Sequence, residues 1–149
     1  MSAKGYRLIY VGPADGSNHK PLNYEGEALG AVAPGAIVEI TSTGLQASTA
    51  AATVFGELLL VADKDQMRSK SVDDPWVVGE NMVAIQPRSG EFFNMLVATG
   101  QDLDAGTALT RNGAGLLTIA ATDGSEDILC YSDEDKTTAA TELTRVRIA

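Results

Sequence analysis

The chain has 149 residues and a formal charge of −9, from 20 acidic and 11 basic side chains. Such a charge repels phosphate backbones and anionic lipid headgroups alike, which argues against nucleic acid or a membrane as a direct partner. Hydrophobic residues make up 44% and aromatics only 5%, with 15 glycines, so the composition predicts one all-β domain with many turns and a core of Val, Leu, Ile and Ala.

Tyr6–Val11 is a short β-prone run closed by Gly12-Pro13, and the polar stretch ADGSNHKPLNYEGE follows it. Residues 1–27 therefore read as an extended N-terminal arm or long loop, of the kind that is usually functional, and 28–149 as a single β domain. Pro34–Ser48 (PGAIVEITSTGLQAS) and Ala105–Ile119 (AGTALTRNGAGLLTI) share a grammar. In each, a small residue and a Gly precede a short strand, and a Gly-Leu pair restarts the chain after a polar turn. Gly35 to Gly44 and Gly106 to Gly115 have the same nine-residue spacing, which suggests a pseudo-symmetric architecture. Residues 47–62 fit a strand better than a helix, because Thr49, Thr53 and Gly56 interrupt the alanines. Asp63–Pro75 is a charged surface segment. Trp76–Glu80 and Met82–Ile85 read as strands stopped by Pro87.

Glu91–Ala98 alternates between two apolar faces, Phe92, Asn94, Leu96 and Ala98 on one and Phe93, Met95 and Val97 on the other, so burial should be heavy. The chain then turns at Gly100 and again at Gly106, and Arg111–Gly115 has the chemistry of a hairpin reversal. Asp127–Ser132 reads as a strand within an acidic run, and Leu143–Ile148 as a half-buried closing strand. Regular short strands with turns between them predict a small β-sandwich or β-barrel.

Chemistry-bearing clusters are sparse. His19, the one histidine, sits in the polar arm without a nucleophile beside it. One His and one Cys cannot build a zinc site, and none of the Asp-rich spacings has the order of an EF-hand loop. Gly113-Ala114-Gly115 lacks the Lys and the helix of a phosphate loop. Cys130 reads as a small buried hydrophobe, and no disulfide within the chain is possible. The absence of a signal core or a long apolar run predicts synthesis in a reducing cytoplasm. No cofactor is expected and an enzyme is not.

Glu91–Ala98, Gly100-Gln101-Asp102-Leu103, Ala105–Leu109, Asn112–Leu117, the acidic strand Glu126–Tyr131 and the closing Leu143–Ile148 together give the segment from Gly90 onward a likeness. It resembles the head decoration (cement, capsid-stabilising) proteins of tailed bacteriophages, with Pro34–Val38 resembling the matching earlier hairpin. The resemblance spans about half the chain, and residues 47–87 fit no pattern of the family. It implies a β-tulip or jelly-roll-like protein on the outer capsid surface of a virion, made in the host cytoplasm. It further implies a homo-oligomer, a trimer before a dimer, that clamps neighbouring major capsid subunits without catalysis. On that reading the partner contacts fall on the arm (Tyr6, Arg7, Tyr10, His19, Tyr24) and around Trp76. Two other classes compete. A β-clip nucleotide hydrolase would need sugar- and phosphate-binding motifs, and a carbohydrate-binding module of a phage appendage would need exposed aromatics.

Overall fold

The computed structural model describes residues 6–13, 21–50 and 58–149, and every regular element among them is a strand. Five strands make an N-terminal sheet: β2 (Leu22–Glu27), β3 (Ile37–Ile40), β4 (Leu45–Ala47), β5 (Leu60–Ala62) and β6 (Asn81–Gln86), in the order β2-β6-β5-β3-β4. A parallel bridge between Ala28 and Leu45 brings its two ends together. Five more make a C-terminal barrel: β7 (Glu91–Val97), β9 (Ala108–Arg111), β10 (Leu117–Ile119), β11 (Cys130–Ser132) and β13 (Glu142–Ile148). Their order is β7-β10-β9-β11-β13, closed by pairing of β13 with β7. The strand β1 (Tyr10–Pro13) is added to the edge of β7, and β8 (Asp102–Leu103) with β12 (Lys136–Thr137) forms a small ribbon. The expected all-β class is realised as barrels.

The two barrels repeat one another strand for strand. Val61 pairs with Ile85 and Ile85 with Asn23 in the first; Tyr131 pairs with Arg147 and Arg147 with Phe92 in the second. The connecting hydrogen bonds repeat too. The Gly35 N–H donates to the Ala62 carbonyl (2.8 Å) as Gly106 does to Ser132 (2.7 Å), and Leu29 to Leu45 (2.9 Å) as Ala98 does to Leu117 (2.9 Å). Asp63 donates to Val83 (3.0 Å) where Asp133 donates to Arg145 (2.9 Å). Strand β2 thus corresponds to β7, β3–β4 to β9–β10, β5 to β11 and β6 to β13. The two hairpins with matched glycine spacing occupy matching places.

Two glycines show why this arrangement needs them. Gly35 has φ +89°, and a Cβ there would lie 2.6 Å from Leu143 Cδ2, so a side chain would meet both backbone strain and the second barrel. At Gly44 a Cβ would lie 2.3 Å from the Glu27 carbonyl oxygen. Its absence lets the start of β4 reach the end of β2 and close the first barrel.

The core is continuous across both barrels, with Ile37, Leu60 and Met82 from the first and Phe93, Met95, Leu109 and Leu117 from the second fully buried. Each such side chain is worth about 1.5–3 kcal/mol on removal from water. Backbone bonds join the barrels directly: Ile37 N–H donates to the Gly115 carbonyl (2.8 Å) and Leu96 N–H to the Gly35 carbonyl (3.0 Å).

Several elements differ from the sequence expectation. Within the expected arm, β1 and β2 are paired into sheets, while residues 1–5 and 14–20 lie outside the described residues. In the stretch 47–62, β5 starts only at Leu60, and residues 51–57 also lie outside the described residues. Trp76–Glu80 is not a strand. Trp76 makes one bridge to Val32, and a turn follows in which Glu80 N–H donates to the Val77 carbonyl (3.1 Å) and the Glu80 carboxylate accepts the Val77 N–H (2.6 Å). The strand expected from Asp127 begins instead at Cys130, because Asp123, Glu126 and Asp127 stay in water and only Cys130 enters the core.

Candidate functional site

On the face of β2 and β6 that points away from the first barrel's interior, a cleft of about 540 Å³ opens against the 63–68 segment. Asn23 and Glu25 from β2, Asn81 and Val83 from β6, and Asp63, Asp65 and Arg68 line it. The alternation of a strand puts those odd-numbered side chains on one face. A smaller cavity of about 130 Å³ adjoins it, sharing Asn23, Asp63 and Gln66 and reaching Leu8, Tyr10 and Pro21.

Local turns hold the cleft wall. The Asp63 carboxylate accepts the Lys64 N–H (2.8 Å) and the Gln66 amide (2.9 Å), and Asp65 accepts the Arg68 N–H (3.2 Å). Burial nevertheless raises the Asp63 carboxyl above the ordinary aspartate range, with those bonds opposing the shift. The Arg68 guanidinium pairs with Glu80, whose carboxylate also lies 3.7 Å from the Lys70 ammonium. Glu80 therefore ties the 63–70 wall to the Val77–Glu80 turn. Val77 and Val78 are 54% and 63% exposed and Met67 is 93% exposed, so apolar side chains stand at this end of the molecule.

The residues singled out from the sequence scatter over this region. Tyr10 donates its hydroxyl to Glu91 (2.8 Å) and packs its ring edge-on against Phe93 at 5.3 Å. Burial and the neighbouring carboxylate push its hydroxyl up to about 12. Tyr6 donates to Glu134 beneath the Lys136 ammonium, 5.4 Å from the ring centre, and its hydroxyl too is raised by burial and by Glu134. Both tyrosines fasten the N-terminal segment to the second barrel. Arg7 is exposed, and its carbonyl accepts the Lys64 ammonium (2.7 Å). Tyr24 is half-buried on the interior side of β2, opposite Ala84. Trp76 is 3% exposed and its indole N–H donates to the Asp63 carbonyl (2.7 Å), so it is a core anchor behind the cleft. His19 lies outside the described residues.

Tyr10 thus lines the smaller cavity and Trp76 the cleft beside it, Tyr6 stands apart on the second barrel, and Tyr24 faces inward. The sequence reading missed Glu25, Arg68 and the exposed valines. Their one legible signal was the charged stretch Asp63–Pro75. Among the described residues, no group of three His, Cys, Asp or Glu side chains comes together to hold a metal ion. Among the described residues no helix is long and apolar enough to cross a membrane.

The fold and cleft together define a tandem β-barrel protein with a polar surface groove. No protein-family model matches the chain, and no curated protein matches it. Among solved structures, the crystal structure of the head fiber gp8.5 N base in bacteriophage phi29 is similar, with a TM-score of 0.56 at 13% identity. The match covers 87% of this chain and 95% of that one. The likeness is one of fold over almost the full length of both.

Proposed function

We propose that this chain is a non-enzymatic structural protein of a phage virion that docks on the outer surface of the assembled head and stabilises it by clamping neighbouring major capsid subunits. The observation that carries the reading is the shared fold with the base of a phage head fiber, which extends over 95% of that base. The family resemblance of the Gly90–Ile148 segment points the same way from independent grounds.

The duplicated barrel suits a clamp. One chain with two modules of the same design has two related faces, and simultaneous contact with two neighbouring subunits raises the effective concentration of each contact. A homo-oligomer, a trimer before a dimer, multiplies that gain. The sugar-binding alternative loses its best candidate, since Trp76 is buried and offers no stacking face.

Co-sedimentation of the whole protein with purified expanded and unexpanded heads tests the proposal. Saturable binding to expanded heads at a fixed copy number per capsid subunit is expected. Absence of binding to both head forms overturns it.

A further inference from the structure

The two barrels correspond residue by residue, so an unfilled position in one is visible by comparison with the other. In the C-terminal barrel the edge of β7 turned away from β13 is fully occupied. Asn94 N–H donates to the Ile9 carbonyl (2.7 Å), Leu96 N–H to the Gly35 carbonyl (3.0 Å) and Ala98 N–H to the Leu117 carbonyl (2.9 Å). Glu25, Glu27 and Leu29 hold the matching positions in the N-terminal barrel.

Only the last of these three is matched. Leu29 N–H donates to the Leu45 carbonyl (2.9 Å). The Ala28 N–H points the other way, to the Glu80 carbonyl (2.8 Å), and the alternation of an antiparallel ladder turns the Glu25 and Glu27 N–H groups outward. Among the described residues neither N–H is hydrogen-bonded. The start of β4, Gly44 and Leu45, comes alongside β2 at Glu27 and Ala28, and beside Glu25 no described strand lies where β1 lies beside β7. Such an edge is a template for another strand.

We infer that the edge of β2 around Glu25, unpaired among the described residues, receives an extended segment of the capsid protein, adding a strand where β1 already completes the second barrel. The inference rests on the proposed function and deepens it by naming how the partner is held. Charge decides against a second copy of this chain. Glu25 and Glu27 are both exposed, and β2 paired with β2 would set these acids against each other on molecules that each carry −9. Nearby cations are already engaged, Arg68 by Glu80 and Lys64 by the Arg7 carbonyl. The complementary strand carries Lys or Arg on the face shared with Glu25 and Glu27. It carries apolar residues on the face shared with Leu22 and Tyr24, where the barrel interior lies.

The test uses the full chain labelled for amide spectroscopy. It is titrated with a short capped peptide of alternating lysine and valine, and with a glutamate–valine control. In parallel, wild type and E25K/E27K are co-sedimented with expanded heads. The lysine–valine peptide is expected to shift the Glu25 and Glu27 amides and slow their exchange by about tenfold or more, while the control leaves them unmoved. The charge reversal, whose two sites are exposed and whose folding is checked by its melting curve, is expected to weaken head binding by about tenfold. Wild-type heads bound without protection of these amides, and equally well by E25K/E27K, overturn the inference and leave the head-protein reading standing. Peptide captured at β2 with no binding to heads sustains the strand-accepting edge, removes the capsid as its partner and overturns the head-protein reading. Neither probe touching β2 overturns the inference outright.

Discussion

Strand β7 and its counterpart β2 hold the same place in two barrels of the same order and register, yet only β7 is deeply buried. Its central residues Phe93, Met95 and Val97 are inaccessible to solvent or nearly so, whereas the matching positions on β2 are Tyr24, Gly26 and Ala28, and most of β2 is exposed. The difference teaches that topology in this molecule is set by turns and closures, while burial is distributed by which edges are covered. β7 carries β1, Gly35 and β10 along one edge and β13 along the other; β2 has β6 and a single bridge.

Substitutions at matched positions break or sharpen this contrast. The largest effect is expected for Phe93→Ala, a loss of about 3–5 kcal/mol by denaturant unfolding, against about 1–2 kcal/mol for the half-buried Tyr24→Ala. Equal losses would show that the two strands carry equal weight after all. Next come the matched glycines. Gly35→Ala and Gly106→Ala both place alanine at positive φ (+89° and +94°), at a cost of about 1–3 kcal/mol each. Only at Gly35 does the new Cβ also strike Leu143 Cδ2, whereas at Gly106 nothing lies within 4 Å. Gly35→Ala should therefore melt lower than Gly106→Ala.

A smaller effect is expected from Asp63, whose exposed counterpart Asp133 pairs with Arg145 at 2.7 Å. Because burial raises the Asp63 carboxyl, the folded chain holds that proton more tightly than the unfolded chain does. Its contribution to stability is therefore full below the ordinary aspartate range and is lost as pH rises through the raised value. Melting temperatures of wild type and Asp63→Asn, compared from that range towards neutrality, should show the wild type losing ground as pH increases. A constant difference would mean that Asp63 does not titrate there. The smallest expected signal concerns Cys130, matched to Leu60 in the first barrel. Burial pushes its thiol up to about 12, so a thiol reagent at mildly alkaline pH should label it only after denaturant is added.

Much of the second barrel was legible in the sequence because β7 is apolar on both faces and buried continuously from Phe93 to Val97, and because its hairpin carries Asn-Gly chemistry. The matching hairpin grammar at Pro34–Ser48 foreshadowed the duplication. The first barrel was harder to read. LNYEGE has no apolar period, so β2 looked like arm, and the bridge from Ala28 to Leu45 leaves no sequence mark beyond Gly44. Trp76–Glu80 has strand composition, but the Glu80 carboxylate folds it into a turn. The cleft was less legible still. Its walls come from Asn23 and Glu25, from Asp63–Arg68 and from Asn81 and Val83, and no local pattern announces that segments so far apart in the chain meet.

The crowding of β7 has a consequence for how the chain reaches this structure. Its two edges are completed by residues near position 9, by Gly35, by Leu117 and by Glu142–Arg147, so almost the whole chain must be in place before its ladder is whole. The strands of the first barrel all lie within residues 22–86. During synthesis that barrel is available to assemble early, with β7 waiting, apolar and half-paired, until β13 has been made. Non-local pairing of this kind is slow to form. The interval in which Phe93, Met95 and Val97 lack their final neighbours is where misassembly should concentrate.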